Sequence, residues 1–314
     1  MDKNSEPGDD LDYRHAPGTR IHYRARSRAT DLAAVGRLAL HLPGALCGLL
    51  LIGLLARGLQ AATGIPYAVP VGLWLAAGAL AFHPPSEALL ARYVLRLGRP
   101  LPHELAVLAP VWREVTARAG VDGSRYQLWI EDSGGPTASG AGGHLVIVTR
   151  QALETLPTSQ LAAVLAHELG HHTAGHSWAR LLGWWYALPG RLAGWALAAT
   201  ARSGRRVAKS VPTYAVVGAA LLVVLLSYRV LALTFGLPLL LAALPFLVAA
   251  VGRRTELRAD RHAAGLGFGP DLARVLTAQP EEDGPGLLRL LLSPHPHPRT
   301  RLHHLQRYLE PRGR

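Results

Sequence analysis

The segment His167-Glu168-Leu169-Gly170-His171 has the residue types and spacing for metal chemistry. On a helix, positions i and i+4 share a face, so the two imidazoles can bind one zinc ion. Glu168, between them, can reach a water held at that ion. Zinc lowers the pKa of such a water, Glu168 takes its proton, and the hydroxide attacks a carbonyl. In a chain with 15 histidines, the same spacing can also arise on an ordinary polar helix face. A second group far downstream, Glu256-Leu257-Arg258-Ala259-Asp260, weighs against coincidence. Glu256 can supply a third ligand and leave the fourth position open. Asp260, one turn later, can accept a hydrogen bond from a ligand histidine and fix its tautomer. Alone, this segment reads equally as a solvated face beside Arg253, Arg254, Arg258 and Arg261; the upstream histidines decide for the metal. His172 points off the ligand face and His176 lies beyond the pair, so neither joins the expected set.

Particular elements must position these groups. Pro157 followed by Thr158 or Ser159 predicts a capped helix running through Leu161, Val164 and Leu165 into the histidine pair. Pro102–Ala119 has amphipathic helical spacing, and 125–131 alternates as a strand with Leu128 and Ile130 on one face. Residues 133–143 read as a glycine-rich loop, and 144–149 as a second β segment.

The chain has 314 residues, 49% apolar and 17% charged, with 33 Lys+Arg against 21 Asp+Glu and a net charge of +12. That composition excludes a disordered or collagen-like protein. The single cysteine, Cys47, excludes a disulfide framework and a cysteine zinc site. Apolar runs at 38–56 and 65–82 each have about the 17–20 residues of a bilayer-crossing helix. Further apolar stretches occupy 177–201 and 214–251. The first run starts too far into the chain, and lacks the small-residue pattern, for a cleaved signal peptide. The expected organisation is therefore a disordered basic arm at 1–31 and a transmembrane hairpin at 32–83. The first part of a catalytic domain follows at 84–176, then transmembrane or interfacial helices at 177–251, and the second part at 252–314. Trp184, Trp185 and Trp195 fit an interfacial belt, and the arginines of 299–314 a solvated or headgroup-facing surface. No aromatic interleaving or binding motif supports nucleic acid as a partner.

The chain resembles the integral-membrane zinc metallopeptidases of the HtpX and CAAX prenyl endopeptidase type. The matching stretches are Val146-Ile147-Val148-Thr149, Leu161 through His171, Glu256-x-x-Ala259-Asp260-Arg261-x-Ala263-Ala264, and Ser293-Pro294-His295-Pro296 with Arg301 beyond it. The resemblance covers 84–306. It implies a mainly α membrane protein: transmembrane helices plus a gluzincin-like zinc peptidase domain with a small β-sheet. It implies one zinc per chain held by His167, His171 and Glu256, with Glu168 as general base and Asp260 behind a ligand. Val146, Ile147 and Val148 would form the edge strand beside the cleft, open to an added substrate strand. His295 and Arg301 would shape the site or steady the oxyanion, although His297 also precedes a proline. The implied partners are protein or peptide substrates and the lipid bilayer. One departure stands out: family members often carry an Asn-Ala-Phe-like segment before the edge strand, where this chain has Pro136-Thr137-Ala138-Ser139-Gly140.

For the ligands to meet, His171 and Glu256 must lie on one side of the membrane, with an even number of crossings between them. Either 178–200 and 213–235 form a hairpin, or 178–200 lies in the interface and 213–251 folds back near Arg229. The family pattern favours the first, and the charge of the intervening Arg202, Arg205, Arg206 and Lys209 favours the second. The basic N-terminal arm predicts a cytoplasmic N-terminus, and with it a cytoplasmic active site in a multi-pass protein of the cell membrane. A non-catalytic zinc-binding signalling or scaffold protein of the same fold is the rival, and the presence of Glu168 speaks against it. A sensor protease would need an added sensor domain, for which no segment is left over.

Overall fold

The computed structural model describes residues 9–15, 32–132, 138–141, 143–174, 176–207, 237–279, 286 and 291–310. The chain divides into two compact units. One comprises Met1–Leu38, Ala79–Leu182 and Ala249–Arg314; the other comprises Ala39–Gly78 and Gly183–Val248.

The first unit is built on a three-stranded sheet, β1 (Gln127–Glu131), β2 (Ala138–Ala141) and β3 (Leu145–Thr149), in the order β1-β3-β2. β3 runs parallel to β1, with Gln127 opposite Leu145, and antiparallel to β2, with Ala141 opposite Leu145. This corrects the expectation for Val146, Ile147 and Val148. They lie on the central strand, hydrogen-bonded on both sides, and the edge is β2. The physical reason is that every residue of β3 is buried. Val146 and Val148 enter the main core, while Leu145 and Ile147 join Trp129, Ala91 and Leu97 on the opposite face. A strand apolar on both faces belongs in the middle of a sheet. The outer edge of β1 is partly closed, since Gly98 exchanges both backbone bonds with Ile130 at 2.9 Å.

Helix α4 (Pro102–Ala119) begins with proline in its first turn, where the missing N–H costs nothing. The Glu104 carboxylate accepts the Leu101 N–H at 2.7 Å. The helix stops at Gly120, whose φ of 64° suits glycine. Its apolar face, Leu108, Val111, Trp112 and Val115, packs with Leu161, Leu165 and Leu169 of α6 (Thr158–Thr173). Short α5 (Arg150–Thr155) separates β3 from α6 and is capped by Thr149.

The start of α6 departs from expectation. Its N-cap position is Pro157, which has no side chain to offer. Asp10, inside the arm expected to be disordered, caps it instead. One Asp10 oxygen accepts the Ser159 N–H at 2.9 Å and the other the Ser159 hydroxyl at 2.8 Å. Residues 9–15 are thus a strap, held further along by the buried Glu114 carboxylate. Glu114 accepts the backbone N–H groups of Arg14 (3.0 Å) and His15 (3.1 Å) and the Arg118 side chain (2.7 Å).

Helix α1 (Leu32–Thr63) enters the second unit at Ala39, and its apolar stretch is Leu38–Thr63, 26 residues. Among the described residues it is the one helix long and apolar enough by itself to cross a membrane. Leu50 and Leu54 are 74% and 70% exposed, a poor arrangement in water. The second expected span appears as a ten-residue α2 (Ala68–Ala77) followed by a 3-10 turn, Gly78–Phe82. Tyr186, on α7 (His176–Val207), donates to the Leu75 carbonyl at 2.7 Å and meets Trp74 edge-on. A Cβ on Gly78 would strike the Tyr186 hydroxyl, so this contact requires glycine. Pro189 does not break α7, which runs through it. The expected crossing at 213–235 lies outside the described residues. α8 (Leu237–Gly265) continues from the apolar stretch into the polar segment with Glu256 and Asp260. α9 (Gly269–Ala278) and α10 (Pro298–Leu309) complete the first unit.

Candidate metal centre

Three helices bring the polar cluster together. α6 supplies His167, Glu168 and His171, α8 supplies Glu256 and Asp260, and α10 supplies Arg301. The ligand-bearing atoms of His167, Glu168 and His171 all lie within 4.8 Å of one another. Glu256 faces both imidazoles. One of its oxygens is 3.4 Å from His167 Nε2, and the other is 3.4 Å from His171 Nε2. Those separations are long for hydrogen bonds, which cluster at about 2.7–3.2 Å. They match the donor–donor spacing of a tetrahedral site, about 3.3–3.5 Å for bonds of roughly 2.0–2.2 Å. The residues therefore fit a divalent cation held by two histidines and one carboxylate. His167, Glu168 and Glu256 are all buried, so their polar atoms need partners, and a shared cation is a fitting one.

Behind the ligands stands a tight ionic chain. His167 Nδ1 lies 2.8 Å from Asp260. Arg301 grips the same carboxylate as a fork, through Nε at 2.9 Å and Nη2 at 2.6 Å. Its Nη1 lies 3.8 Å from Glu256. Arg301 thus holds Asp260, which in turn orients the His167 ring so that its Nε2 faces Glu256. Burial and the Arg301 charge oppose protonation of His167, but the hydrogen bond to Asp260 and the nearby Glu256 carboxylate outweigh them and raise its pKa to about 9. Burial also opposes ionisation of Glu256 and Asp260. The neighbouring His167 and His171 hold Glu256 well below the usual carboxylate range, and His167 and Arg301 do the same for Asp260.

The two His-Pro pairs have different places. His295 is exposed and turns its Nε2 to 3.7 Å from Glu256. The His297 ring instead accepts the Arg299 N–H at 3.3 Å and caps α10. His295 is the one that reaches the cluster.

The sequence profile of peptidase family M48 matches residues 105–309, more than half of the chain. The chain belongs to peptidase family M48. A comparison with curated proteins finds no match. The M48 region begins in α4 and ends in α10, so it takes in the sheet and every member of the cluster. Its family is one of metallopeptidases, in keeping with the His167-Glu168-His171 group.

The structural roles of three residues of this M48 domain escaped sequence reasoning. Gly170 lies where α6 crosses α8: a Cβ there would stand 3.2 Å from the Ala259 Cα and 3.1 Å from the His262 Cβ. Glycine lets the histidine helix approach the Glu256 helix closely. Its position inside a helix was the signal, since glycine there costs about 1 kcal/mol relative to alanine. Gly252 does the same for the His295 loop, because a Cβ would meet Pro294 at 2.6 Å. Arg253 ties that loop down by donating to the Ser293 carbonyl at 2.9 Å.

Proposed function

We propose that this M48 protein is a membrane-embedded zinc endopeptidase of the HtpX and CAAX prenyl endopeptidase type, cleaving proteins or peptides at the cytoplasmic face of the cell membrane. The observation that carries the reading is Glu256 spaced 3.4 Å from each ligand imidazole, with Glu168 on the same helical turn. Zinc, when bound by His167, His171 and Glu256, supplies Lewis-acid polarisation and makes water a nucleophile near neutral pH. Glu168 takes the proton of the attacking water and passes it to the leaving amine. Asp260, steadied by Arg301, accepts the Nδ1–H of His167 and fixes its tautomer. His295, exposed with its Nε2 3.7 Å from Glu256, would donate to the carbonyl oxygen as it gains charge.

Substrate is held by strand addition. β2 lies alongside α6 and has no strand partner on its outer edge among the described residues. An extended peptide pairing there runs past Glu168. Ala138, Ser139 and Gly140 of the stretch that departs from the family's Asn-Ala-Phe-like pattern lie on this strand, so this protein's selectivity differs at the edge. The exposed leucines of α1 support membrane embedding, and the basic arm supports a cytoplasmic site. Membrane-protein quality control and peptide processing both suit such an enzyme.

The test compares the detergent-solubilised parent with Glu168→Gln for bound zinc and for casein cleavage. Both should bind about one zinc per chain, and cleavage by the variant should fall by about 10²-fold or more. Zinc binding without turnover by the parent, on casein and on a broad peptide panel, would favour the non-catalytic zinc-binding scaffold instead.

A further inference from the structure

The buried carboxylate of Glu87 takes no part in the metal cluster. It belongs to α3 (Pro84–Leu89) and is 1% exposed. A carboxylate so buried must find donors, and it finds them on the far side of the sheet. One oxygen accepts the Gly143 N–H at 2.7 Å, and the other accepts the His144 N–H at 3.0 Å. The His144 ring nitrogen Nδ1 adds a contact at 3.3 Å. Gly143 and His144 stand between β2 and β3, where the chain turns from the free edge into the central strand.

The two strands this junction joins are unequally supported. β3 is fixed by β1, by β2 and by apolar burial on both faces. β2 has four residues and a single partner strand. A short edge strand held on one side gains little stability of its own. The same chain segment that carries Glu87 goes on to close the outer edge of β1 at Gly98. It therefore secures one edge of the sheet while gripping the turn that serves the other.

We propose that Glu87 is a positioning residue for substrate: by binding the Gly143 and His144 amides it fixes the edge strand β2 on which an extended peptide pairs. This rests on the peptidase reading above and adds to it the group that sets the height of the substrate strand over Glu168. Charged hydrogen bonds to two backbone amides resist displacement more than neutral ones do. An extended peptide needs the whole edge in place, whereas a short substrate needs only the metal cluster.

The test uses the full chain in detergent as parent, Glu87→Ala and Glu87→Gln. Turnover is measured on a quenched peptide of about ten residues, longer than the edge, and on a blocked tripeptide reporter. Backbone hydrogen exchange is followed across 138–149 and across α6. In Glu87→Ala, KM for the long peptide should rise about tenfold with kcat and bound zinc retained, since each lost charged bond weakens the turn. The tripeptide should be cleaved as by the parent, and exchange should quicken at 138–144 but not in α6. Glu87→Gln keeps one acceptor oxygen and should fall between, which holds the test open if Glu87→Ala does not fold. Equal losses on long and short substrates, or unchanged exchange at 143–144, would overturn the proposal. A parent that cleaves neither substrate would overturn the peptidase reading instead, and exchange, which needs no turnover, tells the two failures apart.

Discussion

The two ends of α6 hold polar clusters of similar make-up and different purpose. At the C-terminal end, His167 and His171 meet Glu256, Asp260 and Arg301 from two other helices. At the N-terminal end, Thr158 donates to Asp9 and Ser159 to Asp10 of the strap. Both join residues far apart in sequence. At the strap these groups meet at 2.8–2.9 Å, ordinary hydrogen-bond distances. At the histidine end the nearest approaches of Glu256 to the rings are 3.4 Å, a spacing that points at a shared cation. The difference teaches that polarity and burial alone do not mark a site; the spacing at which the groups converge does.

The sharpest way to break the comparison is to remove a ligand. Glu256→Ala should abolish stoichiometric zinc binding, measured on dialysed protein, together with proteolysis. The loss of affinity should exceed the roughly 10–100-fold typical of removing a partner behind a ligand. If Glu256→Ala still bound one zinc tightly, Glu256 would not be a ligand, and its 3.4 Å spacing from the two rings would not be what marks the metal site.

Next in size is Arg301→Ala. It leaves the ligands in place but frees Asp260 from its fork, so the His167 ring loses its fixed orientation. Zinc affinity should drop about 10–100-fold. A competition titration against a chelator of known strength measures it. A change confined to kcat at full zinc occupancy would instead put Arg301 on the oxyanion.

How far each end was legible follows from how it is built. The histidine pair and the Glu256–Asp260 pair are each set by the periodicity of one helix, so their spacing shows in one dimension. The Asp10 cap depends on which distant segment lies beside α6, and no local pattern records that. Strand order was hidden in the same way. The run Leu145-Val146-Ile147-Val148 does carry the signature of a strand buried on both faces, yet the edge assignment came from family resemblance and attached to the wrong strand. Gly170 was within the recognised motif, but its use as a contact with Ala259 needs the crossing of two helices.

That crossing gives the third prediction. Gly170→Ala gains about 1 kcal/mol of helix propensity, but its Cβ meets the α8 backbone at 3.2 Å. Overpacking of this kind costs roughly 1–3 kcal/mol and pushes Glu256 away from the imidazoles. Zinc affinity and activity should both fall. Gly194→Ala, whose Cβ would meet nothing within 4 Å, serves as the control and should leave both unchanged. If the two variants behaved alike, close packing of α6 on α8 would not be what brings the ligands together.

The smallest effect belongs to the strap, and pH should reveal it. Burial would raise the pKa of Asp10, but its bonds from Ser159 and Thr158 outweigh that and lower it. Burial likewise opposes ionisation of Glu114, and Arg118 with the Arg14 and His15 amides lowers its pKa. A carboxyl whose folded pKa lies below its unfolded value stabilises the fold once the unfolded form is ionised. For these groups that means above about pH 4–4.5. As pH falls through the folded values both become protonated, and that stabilisation is lost. Asp10→Ala should therefore lower stability at neutral pH by about 0.5–2 kcal/mol, the usual worth of a helix cap. The gap between variant and parent should close as the melting series is carried into acid. Zinc affinity should not move, because the cap sits at the opposite end of α6 from the histidines. A variant that lost zinc along with stability would show that the two ends are coupled through the helix.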